Sequence, residues 1–379
     1  MPIVRSTGAV VAARELLDPP GFDPTYGFTT TDLMRCEAPS VQDEPDDFDA
    51  FWTGVRDRAR AVDPDPCVTG WRPWRYRSGI PDDKVAEGYE VADLVYTSVD
   101  GARIGGWVVR PVDGADRIAV CGHGYDGRAE PACDDAAPSA LCVYPVARGL
   151  PVRSSVPGIG WDGGQTPHVT WDIESPQTYA VVKSAADFSV AATVAQSLLP
   201  GAQRMIYHGA SFGGGVGAMT LSIDDRFDGA VLGVPTFGNQ VVRVTQRSLG
   251  SGQFARDHVR AHPSTLETLR YADAASAARR VRIPVFATPA LSDAVVPPPG
   301  QFSVINSLAG PVWRHVLAGG HGEWADFDTS RRSSDPRDWH TVRHTGHGRH
   351  PEYGRLRQAA APTADCIDDF LSHPTRLFG

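Results

Sequence analysis

Lysine is almost absent from this chain: Lys84 and Lys183 are the only two, and arginine carries nearly all of the positive charge. With a formal net charge of −9, a nucleic-acid partner, which calls for a basic face, is not expected. No run of eighteen apolar residues occurs anywhere in the 379 residues, so no membrane-spanning helix is expected either. The first twenty residues carry Arg5, Arg14 and Glu15 and no long apolar core, unlike a secretory signal. The six cysteines are scattered without a Cys-x-x-Cys pair, which suggests neither a disulfide framework nor a zinc site. The expectation is a cytoplasmic protein with reduced thiols and no cofactor.

Short apolar runs punctuate the chain. Ile118–Val120, Leu141–Tyr144, Met205–Tyr207, Ala230–Val234, Ile283–Ala287 and His315–Leu317 read as strands. Residues 89–99 and 104–109 alternate, and Asp100-Gly101 between them is a hairpin signal. Amphipathic or apolar helical spacing marks a helix opened by Asp46 and Asp47, with Phe48, Phe51, Trp52, Val55 and Ala59 on one face. A second helix runs from about Pro176 to Leu199, a third spans 302–308, and a last one spans 364–371. Pro64, Pro66 and Pro73 mark a loop after the first helix, and residues 240–280 are helical in pattern. Strands alternating with helices imply a mainly parallel central sheet with helices on both faces. Residues 1–87 read as an N-terminal arm and helix packing on the main domain, and 88–379 as the catalytic domain.

The chemistry gathers around Gly209-Ala-Ser-Phe-Gly-Gly214, which follows one of these strands and opens a helix. Strand, tight turn with serine at its tip, and helix is the nucleophile elbow of the α/β-hydrolase fold. A Cβ at Gly209 or Gly213 is expected to collide with neighbouring backbone. Serine needs a base to take its proton and an acid to orient that base. In this fold they follow the serine in chain order, each on a loop after a strand. Asp293, in Ser292-Asp-Ala-Val-Val296, and His321, in Gly319-Gly-His-Gly322, meet that requirement. Two backbone N–H groups should stabilise an oxyanion: that of Phe212, next to the serine, and that of Tyr125 in His123-Gly-Tyr125 after an early strand. His123 itself is expected to brace the loop.

Taken together, these segments resemble the acetyl xylan esterase and cephalosporin-C deacetylase family of α/β-hydrolases, from about residue 46 to 323. The resemblance rests on Asp46-Asp-Phe-Asp-Ala-Phe-Trp52, Tyr96-Thr-Ser-Val-Asp-Gly101, His123-Gly-Tyr125, His168-Val-Thr-Trp-Asp-Ile173 and Ser175-Pro-Gln-Thr-Tyr179. It extends through Asp293, Val296-Pro-Pro298, Gln301-Phe302, Asn306, Leu308-Ala-Gly-Pro311 and Gly320-His-Gly-Glu323. Three positions depart from the family pattern: Phe212 stands where glutamine is usual, Arg148-Gly-Leu-Pro-Val-Arg-Ser154 replaces an Arg-Gly-Gln-Gly-Gly-Ser loop, and Trp171 replaces an arginine. The resemblance implies a cytoplasmic, hexameric esterase that removes acetyl groups from varied alcohols. The expectation is therefore a serine esterase acting on a small-molecule acyl ester, with no metal, nucleic acid or membrane. An acyltransferase or peptidase on the same triad, or an inactive hydrolase fold serving as a binding module, are the alternatives.

One stretch stands outside the pattern. Residues 327–354 carry His340, His344, His347 and His350, a composition that could be read as a metal site. Rich in arginine and aspartate and without cysteine, the segment is expected instead to pack over or beside the site entrance, or at a subunit contact.

Overall fold

The computed structural model describes residues 21–36, 43–77, 83–131, 139–161, 165–317 and 321. The expected helix 364–371 and the histidine-rich stretch 327–354 lie outside them.

The strands are β1 (Cys67–Arg77), β2 (Asp83–Thr97), β3 (Arg103–Pro111), β4 (Arg117–Cys121), β5 (Ala140–Pro145), β6 (Ile159–Gly160), β7 (Thr166–Pro167), β8 (Met205–Ala210), β9 (Gly229–Gly233), β10 (Val285–Thr288) and β11 (Val312–Arg314). Among the described residues the main sheet has nine strands in the order β1-β2-β3-β5-β4-β8-β9-β10-β11, with β6 and β7 paired apart. β1, β2, β3 and β5 pair antiparallel in succession, and from β5 to β11 every pair is parallel. Helices flanking this sheet make an α/β-hydrolase fold. Strand order reverses at β4, so the carboxyl ends of β4 and β8 border the crevice where α/β sheets bind ligands.

The central strands are continuous apolar runs because helices cover both faces: β5, β9 and β10 are buried at every residue. Helix Ala180–Leu198 is buried nearly all round, and its polar groups are matched accordingly. Asp187, fully buried, accepts from Arg148 and from Ser98 Oγ. Helix Phe48–Ala61 buries the five residues of its expected stripe. Trp52 Nε1 donates to Tyr271 O at 3.0 Å, and Arg60 reaches Asp224 at 3.1 Å, so this helix shares the core of the main domain. At the β2–β3 turn, Asp100 and Gly101 both have positive φ, 61° and 71°.

Three expectations are corrected. Pro73 lies within β1 rather than in a loop; β1 is an edge strand with register shifts on both sides of Pro73, the setting in which a strand tolerates proline. Among the described residues the last strand is Val312–Arg314, three residues before the expected run. It is a half-buried edge strand, so it lacks the continuous apolar signature of the interior ones, and Leu317 makes only a bridge to Ala290. The helix expected over 302–308 starts at Pro298, with proline in its first turn where no N–H is needed.

Candidate active site

Ser211 sits between the end of β8 and helix Phe212–Ile223, with φ 56° and ψ −116°. A non-glycine residue pays strain in that region, and the surroundings must hold it there. Ser211 N–H donates to Gly233 O at 2.8 Å, and its carbonyl accepts from Thr236 N at 3.1 Å and Gly215 N at 3.1 Å. The glycines are required by close approach. A Cβ on Gly209 would lie 2.6 Å from Gly213 O, and one on Gly213 would lie 2.8 Å from His123 N. The helix start is thereby pressed against the loop after β4, where Gly213 N–H donates to His123 O at 2.8 Å.

That loop carries His123 and Tyr125. Ala147 N–H donates to His123 Nε2 at 2.9 Å, and Nδ1 lies 2.6 Å from Gly124 O, so the ring bridges two backbone segments with its proton on Nδ1. Its bracing role is thus visible in the bonds. Tyr125 is anchored by its hydroxyl, which accepts from Val169 N at 2.9 Å. Phe212 is fully buried and stacks on His123 (centroids 5.7 Å, 17°), with His168 and Phe237 edge-on. The aromatic side chain at this departure from the family pattern faces an aromatic cage, while its N–H occupies the first helical position, where no intrahelical acceptor exists.

Asp293 is wholly buried in the loop after β10. One carboxylate oxygen accepts from Val295 N (2.8 Å) and Val296 N (3.0 Å); the other accepts from Gln301 Nε2 (2.8 Å) and lies 2.9 Å from His321 Nδ1. Nδ1–H therefore points at the carboxylate, leaving Nε2 with a free lone pair. The His321 side chain is 19% exposed. Burial by itself lowers the imidazole pKa, but the charge and hydrogen bond of Asp293, joined by Asp126, carry it above its ordinary value. Asp126, on the loop after β4, is the smaller of the two carboxylate influences on the His321 ring.

Two supports of Asp293 were not assigned that role from the sequence. Gln301 holds Asp293 and also accepts from Ala290 N at 2.8 Å, which locks the acid loop to helix Pro298–Asn306. The stretch 21–36 does the same from outside: Asp293 N–H donates to Pro24 O at 3.1 Å, Tyr26 Oη donates to Arg247 O, and Leu33 packs with Leu291 and Phe302. Gln301 stood in the sequence as part of the resemblance, eight residues after the acid; the arm was expected to pack on the main domain, with nothing to say that it meets this loop.

A serine at a strained strand-to-helix turn on a mainly parallel sheet defines a hydrolase of the α/β class. The model of the acetyl xylan esterase family matches residues 36–327, and the chain belongs to that family and is on that ground a carboxylic ester hydrolase. In structure it is similar to the acetyl xylan esterase from Paenibacillus sp. R4 (TM-score 0.64, 22% identity, covering 78% of this chain and 94% of that one). It is also similar to acetyl xylan esterase 1 from Thermoanaerobacterium sp. JW/SL YS485 (TM-score 0.65, 21% identity, 80% and 97%). An acylaminoacyl peptidase from Pyrococcus horikoshii shares the fold over 62% of this chain and 38% of its own (TM-score 0.50, 18% identity).

Proposed function

We propose that the protein is a serine esterase that removes short acyl groups, acetyl foremost, from alcohols such as acetylated sugars or secondary metabolites. The observation that carries this reading is the Asp293–His321 hydrogen bond in the loops following β10, at the same carboxyl end of the sheet as the strained Ser211 turn after β8. Ser211 Oγ attacks the ester carbonyl while His321 Nε2 takes its proton. Asp293 holds the Nδ1–H tautomer and stabilises the imidazolium that forms. The N–H groups of Phe212 and Tyr125 receive the oxyanion, and the helix behind Ser211 adds its positive end. Collapse of the tetrahedral intermediate expels the alcohol, which takes the proton from His321. Water, deprotonated by the same nitrogen, then cleaves the acyl-enzyme and restores Ser211.

Family membership supports the ester chemistry, and the acetyl group is the acyl unit in the names of both esterases above. Assembly as a homo-oligomer in the cytoplasm belongs to the same proposal, and light scattering of the purified protein tests the assembly. For the chemistry, Ser211→Ala should remain folded and lose about a millionfold in kcat on p-nitrophenyl acetate, since a triad acts as a unit. It should also lose labelling by a fluorophosphonate. Turnover or labelling at the wild-type level would sink the reading.

A further inference from the structure

A buried cation borders the loop whose Thr236 N–H holds the carbonyl of the proposed nucleophile, and the reaction just described does not use it. Arg243, at the end of helix Gln240–Arg243, is 4% exposed. Its guanidinium makes two long bonds to neutral groups, Gln240 Oε1 at 3.2 Å and Ser251 Oγ at 3.3 Å, and lies 5.0 Å from the Phe237 ring centroid. Its Nε–H is buried without an acceptor, and the Oε1 of nearby Gln246 is buried without a donor. Among the described residues no carboxylate comes within ion-pair distance of Arg243. The buried acid nearby, Asp273, is occupied by the backbone N–H groups of Asn239, Gln240, Ala275 and Ser276. A buried charge without a counter-ion costs several kcal/mol, and such groups concentrate at sites that bind one.

The guanidinium borders a narrow, closed-up recess shared by the loops after β9 and β10, with Thr236, Phe237, Gln246 and Val296 in its wall. Thr236 N–H holds the Ser211 carbonyl, and Val296 N–H holds Asp293, so the recess lies between nucleophile turn and acid loop. Phe237 in its wall has a positive φ, 64°, and so do Val234 and Asn239, which flank the lining stretch, 34° and 47°. Backbone held in such conformations clusters at ligand clamps.

We propose that Arg243 is a specificity-determining residue whose guanidinium grips a carboxylate, so that the enzyme selects esters bearing a carboxylate near the scissile bond. The geometry of the fork suits a planar bidentate anion better than a hydroxyl. Gln246, half-buried and unpaired at Oε1, is the side chain that must swing aside, because the recess as it stands has no room for a water-sized group. The proposal rests on Ser211 being the nucleophile.

Two ester pairs locate the carboxylate: mono-p-nitrophenyl succinate against p-nitrophenyl butyrate for the acyl half, and 3-acetoxypropionate against propyl acetate for the alcohol half. The readout is the ratio of kcat/KM, charged over neutral. For one pair it should exceed one in the wild type, fall about ten- to hundredfold in Arg243→Met, and recover in part in Arg243→Lys. Ratios at or below one in both pairs, or unmoved by Arg243→Met, overturn the proposal. Calorimetric binding of succinamate against succinamide needs no turnover. Succinamate should bind the wild type more tightly, and equal binding overturns the proposal even if Arg243→Met does not fold. A wild type that cleaves none of the four esters but prefers succinamate refutes the esterase reading and leaves the anion site standing.

Discussion

The turn that carries Ser211 is held by backbone, whereas the loop that carries Asp293 is held by side chains and by a distant stretch of chain. At the turn, hydrogen bonds from Ser211, Gly213 and Thr236 and four glycines without room for a Cβ leave the chain one way to run. At the acid loop, Gln301, the Asp293 carboxylate itself and residues 21–36 hold the position. The contrast has a functional sense. A nucleophile must be presented at a strained angle within a few tenths of an ångström, and backbone contacts resist such strain best. A carboxylate buried beside a histidine needs compensating hydrogen bonds above all, and side chains from elsewhere can supply them.

The contrast can be broken from either side. The largest effect is expected at the acid. Asp293→Asn should keep the fold and lower kcat about ten-thousandfold, because the histidine loses its orientation and its counter-charge. The pH profile carries a second signature. His321 acts as a base only when neutral, and its pKa is raised in the folded protein. Activity in the wild type should therefore fall as pH drops through a value above the ordinary histidine range of about 6.5. Residual activity of Asp293→Asn should show that limb displaced to lower pH. A wild-type kcat/KM that is flat between pH 5 and about 8 would exclude His321 as the base.

Gly213→Ala tests the other side. The new methyl would meet the backbone of Gly122 and His123, which cannot rotate away. A loss of about 1–3 kcal/mol in stability is expected from overpacking, with a fall in kcat as the Tyr125 loop is pushed off its proposed oxyanion position. Chemical denaturation together with p-nitrophenyl acetate kinetics reads both; unchanged values in both would mean that the elbow is looser than its contacts imply. Gln301→Leu should cost about 1–3 kcal/mol, because it leaves the Ala290 N–H without a partner and one Asp293 oxygen with His321 alone, while labelling of Ser211 persists at a reduced rate. The smallest effect belongs to Tyr26→Phe, which removes one hydrogen bond between the arm and the loop at Arg247. About 0.5–1 kcal/mol is expected by denaturation, with little change in kcat, and a large kcat effect would show the arm to be part of the acid's alignment rather than its cover.

Much of this was legible beforehand. Glycines at 209, 213 and 214 around a serine, between an apolar run and a helical pattern, specify their turn locally, because steric exclusion acts between residues adjacent in the chain. The face of helix Phe48–Ala61 was readable for the same reason: side-chain spacing on a helix follows from sequence spacing. Strands at the sheet's edges were not, since β1 contains proline and β11 is half-buried, and neither displays the uninterrupted apolar run of a strand covered on both faces.

Serine, aspartate and histidine in their order, with the glycines that shape their loops, were determined by sequence alone, because local backbone sterics and strand periodicity are properties of neighbouring residues. The grip of Gln301 and of residues 21–36 on Asp293, and the seclusion of Arg243 among neutral partners, were decided only by tertiary structure. Those contacts join residues up to about 270 positions apart, and whether a buried charge finds a partner depends on what the fold places beside it, which no spacing along the chain records.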